Sequence, residues 1–321
     1  MTLMKPTRRD LLKLAAMAPA MAFPLSARAE LGPPTGDNPA HFRFSIGDAR
    51  LTIISDGYFE TPVSGIGVNA DQAEVQAFMA AHYLPRDKGY AHTNHLYIEI
   101  GDAKVLIDVG SGSRFFETTG RLMANMEAAG IDPQGITHVV MTHAHPDHIL
   151  GIRDDFDEAI IPEAAYTIGQ IEHDYWMQDD LVNQVPEERQ QFVLAAVNSI
   201  NADGVEWIMA QDGHEVVPGV TMMHTPGHTP GHMSVRLESG GKTLIALGDC
   251  LTNANASFAR PDWTLARDQD QPMAADTRKK VLGMAADERI AVLGYHFPFP
   301  GVGHVMRDGD AFRFVPALWR F

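Results

Sequence analysis

From residue 42 onward, apolar and polar positions follow two short periods. FRFSIG (42–47) and ARLTIISDG (49–57) alternate, as half-buried strands do. HLYIEIGDAKVLIDVG (95–110) reads as a hairpin turning at Gly101-Asp102, its second strand running into Asp108. RLMANMEAAG (121–130) sets Leu122, Met126 and Ala129 at helical spacing, with Gly130 as a C-cap, and GITHVVMTH (135–143) is a buried strand. The plan then repeats. VTMMHTP (220–226) is a strand, and HMSVRLESGGKTLIALGD (232–249) a hairpin turning at Ser239-Gly240-Gly241. TRKKVLGMAADE (277–288) is a helix, and IAVLGYH (290–296) a strand ending at His296. Between the halves, residues 153–200 are acidic and read as helix-rich, with aromatics at Tyr166, Tyr175, Trp176 and Phe192. A strand–strand–helix–strand unit used twice predicts two mixed sheets packed face to face with helices outside; periodicity alone says α/β or α+β.

The first 29 residues follow a different logic. Lys5, Arg8 and Arg9 give a basic start, Leu11 to Leu25 is apolar but short, and Ala27-Arg28-Ala29 fits an A-x-A cleavage site. Arg8-Arg9, framed as T-R-R-D-L-L-K, resembles a twin-arginine export signal, so residues 1–29 are expected to direct a folded protein to the periplasm or beyond. Residues 30–41, containing LGPPTGDNPA, are a Pro/Gly linker, and 42–321 form the functional domain.

Composition narrows the function. The chain has 321 residues, 45% hydrophobic, enough for a large core and too apolar for disorder. No apolar run reaches the roughly 18 residues of a membrane span. Lys plus Arg is 25 against 41 Asp plus Glu, a net charge of -16. Removal of residues 1–29 takes away five basic residues and one acid, which leaves 20 against 40. Such a surface repels phosphate backbones, so no nucleic acid is expected, and it mildly favours neutral small molecules. One cysteine, Cys250, excludes an intrachain disulfide and a Cys-rich zinc cluster; it reads as an inert buried thiol. The unusual count is 15 histidines.

Those histidines gather in T-H-A-H-P-D-H (142–148). Three imidazoles and a carboxylate within six residues crowd lone pairs together, which is costly unless a cation sits among them. His143 and His145, two apart, point to one side of an extended segment, and Asp147 and His148 open the following helix. Three further donors follow: His228 in HTPGHTPGH (224–232), Asp249 in ALGDC at the end of one strand, and His296 in GYHFPFPG at the end of another. Each alone is an ordinary strand-end residue; of the three histidines in this run, His224 lies on the preceding strand and His232 begins the next, which leaves His228 in the turn.

In order and type, these seven positions resemble the metallo-β-lactamase superfamily, whose pattern is H-x-H-x-D-H, then His, Asp and His. The resemblance covers essentially the whole chain after the signal. It implies an α+β, four-layer αββα sandwich of two similar halves. It also implies two divalent ions, zinc first among Zn2+, Mn2+, Co2+ and Fe2+. His143, His145 and His228 would hold one ion, Asp147, His148 and His296 the other, and Asp249 would bridge them with a hydroxide. The catalytic role falls to Asp147 and Asp249, and Asp108 is expected to orient an imidazole through a hydrogen bond. His304 is expected to support His296.

The chemistry implied is metal-assisted hydrolysis, with the bridging hydroxide attacking an ester, lactone, amide or phosphoester. The endings HFPFPGVGHV and DAFRFVP, with LTIISDG and THxHPDH, resemble the methyl parathion hydrolase group, exported enzymes that open organophosphate triesters, lactones and aryl esters. N-acyl homoserine lactonases carry a Tyr after the bridging Asp, where this chain has Cys250-Leu251-Thr252-Asn253. Phe115, Trp176 and Phe192 are the expected apolar substrate wall. The leading expectation is thus an exported dinuclear hydrolase of neutral esters, lactones or organophosphate triesters, with a homodimer as one assembly. β-Lactamase and acyl-homoserine lactonase activities are narrower alternatives. An iron-dependent oxidoreductase or a non-catalytic zinc-storing module belongs to another class. Flavodiiron relatives place Glu where His145 stands and append a flavin domain, and neither is present here.

Overall fold

The computed structural model describes residues 38–318, so the signal read at 1–29 lies outside the described residues, as does most of the linker. Among the described residues, β1 (His41–Ile46), β2 (Ala49–Pro62), β3 (Lys88–Ile100), β4 (Ala103–Ile107), β5 (His138–Val140), β6 (Ala165–Gly169) and β7 (Trp207–Ala210) form one sheet in that order. The first four strands run antiparallel and the last three join in parallel. The second sheet is ordered β14 (Ala311–Pro316), β13 (Val302–Asp308), β12 (Ala291–Leu293), β11 (Lys242–Ala246), β10 (Met233–Ser239), β9 (Val220–His224) and β8 (Glu215–Val217). Its one parallel pair is β11–β12.

The helices are α1 (Gln72–Ala81), α2 (Leu122–Ala128), α3 (Pro146–Ile149), α4 (Gln170–Trp176), α5 (Leu181–Gln184), α6 (Glu187–Ile200), α7 (Ala256–Ala259) and α8 (Gln271–Asp287). The last begins where Asp270 accepts a hydrogen bond from the Met273 amide and Pro272 occupies the first turn. Glu187 and Glu188 in the first turn of α6 complement its dipole.

Alternation decides the layers. Leu51, Ile53, Leu96, Ile98 and Val105 from the first sheet meet Val220, Met222, Val235, Leu237 and Leu244 from the second, forming the central core. The other face of the first sheet (Ile54, Tyr97, Leu106, Val139) packs on Leu122, Met126, Trp176, Val193 and Ala196. The outer face of the second (Ile245, Val292, Val305) packs on Val281, Leu282 and Ala285 of α8. Each such side chain contributes roughly 1.5–3 kcal/mol on leaving water. The result is helix, sheet, sheet, helix, the α+β sandwich expected.

Two local readings need correction and one an addition. The segment 153–200 is helix-rich as read, with α4, α5 and α6, and also includes strand β6, whose AYTIG is almost wholly buried and therefore lacks alternation. Strand β11 ends at Ala246, so Asp249 sits in a 3-10 turn, Gly248–Cys250, and not at a strand end. Strand β12 likewise ends at Leu293, three residues before His296. Leu247 N–H bonds Leu293 O at 2.9 Å where the two strands end, and Asn94 ties down the 294–297 turn through Gly294 O (3.1 Å) and Phe297 O (2.8 Å).

Candidate metal centre

Every donor singled out in the sequence lies on a loop or short turn beyond the end of a strand. His143 and His145 follow β5, and His145 caps α3, whose first turn carries Asp147 and His148. His228 lies between β9 and β10, Asp249 follows β11, and His296 follows β12. All seven side chains are buried, and they converge in two groups. His143, His145, His228 and Asp249 form one, and Asp147, His148 and His296 the other. Within the first, His143 Nε2 lies 3.0 Å from His145 Nδ1, which lies 2.9 Å from His228 Nε2. Asp249 joins the groups: its Oδ2 is 3.2 Å from His228 Nε2 and 3.1 Å from His296 Nε2, and its Oδ1 is 3.3 Å from His148 Nε2. Asp147 Oδ2 is 3.5 Å from His148 Nε2 and 3.4 Å from His296 Nε2.

Hydrogen bonds on the far ring nitrogens aim the imidazoles. His148 Nδ1 donates to Asp108 Oδ2 (2.8 Å), His228 Nδ1 to Asp268 Oδ1 (2.9 Å), and His296 Nδ1 to the His92 carbonyl (2.7 Å). Each therefore turns its Nε2 lone pair inward. Asp108 also accepts from Thr142 N–H (2.7 Å) and Thr142 Oγ1 (2.8 Å), and it holds a left-handed backbone (φ 58°) to do so. His304 is exposed on β13, away from His296; the His92 carbonyl fills the supporting role expected of it.

Several supporting groups escaped the sequence reading. Glu172, fully buried on α4, accepts from Ala144 N–H (3.0 Å), Trp176 Nε1 (2.6 Å), Thr229 Oγ1 (2.6 Å) and Gly231 N–H (3.1 Å). One carboxylate thus ties the H-x-H loop to the His228 loop. Its i, i+4 spacing to Trp176 was the only sequence signal. Buried Arg278 on α8 donates to Asp268 Oδ2 (3.2 Å) and to the carbonyls of Pro261 and Trp263. His232 Nε2 accepts from the Asp249 amide (2.9 Å), which fixes the backbone of that aspartate. Tyr295 stacks on His148 (3.9 Å between ring centres) and donates to the Asp147 carbonyl (2.6 Å).

Electrostatics fit a cation. Burial, with the neighbouring imidazoles, drives His143 and His145 well below the usual histidine range. Burial opposes charge on His148 and His228 too, but the carboxylates around them prevail. Asp147, Asp108 and Asp249 hold His148 well above that range, and Asp249 and Asp268 push His228 up to about 9. Burial would raise Asp249, yet His296, His148 and His228 hold it well below the carboxylate range. The buried carboxylates of the site thus draw positive charge. Three of its buried atoms, Asp147 Oδ2, His148 Nε2 and Asp249 Oδ1, have no hydrogen-bond partner. Orphaned donors of this kind are costly unless a ligand takes them up, and imidazole and carboxylate together suit divalent ions. Cys250 beside them is buried among apolar side chains, its thiol pushed up to about 12 by burial.

A cavity of about 180 Å3 opens from His145, walled by Tyr175, Trp176, Val185, Phe192 and Val193 and rimmed by Arg267 and Gln269. Trp176 and Phe192 meet the His145 ring at 5.8 and 5.3 Å. Phe115 is not part of this wall. It packs on Phe59 (5.3 Å), and Phe59 is the ring that reaches His296 (5.5 Å), because the 111–121 loop runs over β2.

An N-acyl homoserine lactonase of Bacillus sp is 27% identical over 138 residues, 42% of this chain and 47% of that protein, so the chain spans about half the length of this curated relative. Among solved structures, AidC, a dizinc quorum-quenching lactonase, superposes with a TM-score of 0.78 at 24% identity, covering 88% of this chain and 99% of that one. The hydrolase AbOPH gives 0.81 at 24% identity, covering 89% and 100%. At these identities the structural likeness speaks for the fold. The family model described as the metallo-beta-lactamase superfamily matches residues 90–296, which run from β3 to the last of the seven donors, and the chain belongs to that superfamily.

Proposed function

We propose that this chain is an exported, metal-dependent hydrolase of neutral lactones and esters, with N-acyl lactones first and organophosphate triesters within range. The observation that carries the reading is the meeting of seven buried donors, three with unpartnered atoms, at the head of an apolar cavity. Two divalent ions held by these groups, zinc foremost, would lower the pKa of a water toward neutrality and polarise the carbonyl or phosphoryl under attack.

The protein's own part is placement. Asp249 faces both groups of donors, so its two oxygens supply negative charge where two cations would otherwise repel one another. Asp147 adds a second negative charge on the His148–His296 side. Asp108, Asp268 and the His92 carbonyl hold three imidazoles at fixed angles, which removes reorganisation from the reaction. Trp176 and Phe192 exclude water and receive an apolar acyl or aryl group. The homologous lactonase and the AidC likeness support the lactone class, and the T-R-R-D-L-L-K start supports export.

Zinc-loaded protein assayed against N-hexanoyl homoserine lactone, dihydrocoumarin, p-nitrophenyl acetate, methyl parathion and nitrocefin tests the proposal. Turnover of lactones and esters, abolished by His143→Ala, is the expected result. Bound metal without turnover of any of the five would leave a metal-storing module, and an unimpaired His143→Ala would remove the metal from the chemistry.

A further inference from the structure

The segment 265–269 is pinned from all sides. Ala266 N–H bonds Gly65 O (2.9 Å), Arg189 Nη2 bonds Ala266 O (3.0 Å), and Gln269 N–H bonds His228 O (3.1 Å). The Asp268 carboxylate meanwhile holds the His228 ring. Arg267 is therefore carried on backbone locked to a member of the metal centre. Its guanidinium carbon lies 5.3 Å from the centre of the Phe59 ring, which meets His296 edge-on. Arg267 also lines the cavity headed by His145. It thus stands beside a ring that touches His296 and in the cavity that His145 heads.

The guanidinium is exposed, and no hydrogen bond or ion pair to it is found among the described residues. Glu188 and Arg189 line the same cavity, and neither pairs with it. A guanidinium held in the cavity wall with no protein acceptor offers its N–H donors to an acceptor on a ligand bound there. The rest of the cavity defines that acceptor. His145 of the metal centre, the rings of Tyr175, Trp176 and Phe192, and the polar Arg267 and Gln269 all line the cavity. Glu188 offsets one of the two arginines that line the cavity, and within the lactone reading the acceptor between the ring and the acyl chain is a neutral carbonyl.

We infer that Arg267 is a specificity-determining residue that donates to the exocyclic amide carbonyl of an N-acyl lactone while the acyl chain lies along Trp176 and Phe192. The inference rests on the lactone-hydrolase reading above and extends it to a residue type the chemistry itself does not require. Arg267→Met and Arg267→Lys separate the two. With zinc-loaded enzyme, Arg267→Met should lower kcat/KM for N-hexanoyl homoserine lactone about tenfold to a hundredfold, mainly through KM, as loss of one charge-assisted hydrogen bond does. γ-Decalactone, which has no amide, should change less than about threefold, and Arg267→Lys should fall between. Equal losses on both lactones, or no loss on the amide substrate, would overturn the assignment. If the wild type opens neither lactone, the hydrolase reading fails on its own, and Arg267 is judged by binding. Quenching of tryptophan fluorescence should then show N-hexanoyl homoserine lactone bound at least tenfold more weakly by Arg267→Met, and γ-decalactone unchanged. Identical Kd values for the amide lactone in both proteins would refute it.

Discussion

Asp268 occupies a position where one carboxylate serves two partners, with His228 Nδ1 on one oxygen and Arg278 on the other. The arginine, 1% exposed, anchors the acid to α8 and so relates His228 to a whole helix. Asp268→Asn keeps the shape but weakens the charged hydrogen bond that orients the ring. Metal affinity at the His143–His145–His228 group should fall about 10–100-fold, read by competition with a chromophoric chelator, and unchanged affinity would count against this role. At this scale the sequence was legible where residue type is diagnostic. Histidines and acids in H-x-H-x-D-H spacing have few uses. Glu172, Asp268 and Arg278 look like any surface charge until the fold buries them, and Phe115 looked like a wall residue only because its packing on Phe59 is tertiary.

Among the elements, the long antiparallel hairpins and α2 were visible because half-buried strands and an amphipathic helix carry a period. The parallel strands β6 and β7 and helix α1 were not, since buried β6 lacks alternation, β7 is only four residues long and α1 lies within an unremarkable loop region. The elements that matter most for the site are the tight turns after the strands. At Gly231 a Cβ would stand 2.0 Å from the Glu172 amide nitrogen, so the His228 loop and α4 fit together only without a side chain. Gly231→Ala should cost about 2–3 kcal/mol and lower Tm by roughly 5–10 °C in a thermal melt. A melt unchanged from wild type would mean that the contact between loop and helix relaxes freely.

For the molecule as a whole, burial of neutral histidines sets the response to acid. His95, fully buried on β3 under the site, is lowered to about 4, chiefly by burial, with His148 adding to this and Asp108 opposing it. Its folded value lies below the unfolded value of 6.5, so the unfolded chain takes up a proton first. Stability is full above about pH 6.5 and declines as pH falls toward 4, by about 3 kcal/mol for this group. Denaturant titrations of metal-free protein between pH 7 and 4.5 should show that decline, and His95→Gln should flatten it; an equal slope in both would assign the effect elsewhere. No helix of the described residues is long and apolar enough to cross a membrane, and the two sheets with their outer helices serve as a frame for the loops at one end.

The most direct measurement is anomalous X-ray scattering at the zinc edge from crystals of zinc-loaded protein. Two peaks are expected, one within bonding distance of His143, His145 and His228, the other of Asp147, His148 and His296, with Asp249 touching both. Peaks at other residues, or none inside this cluster, would contradict it.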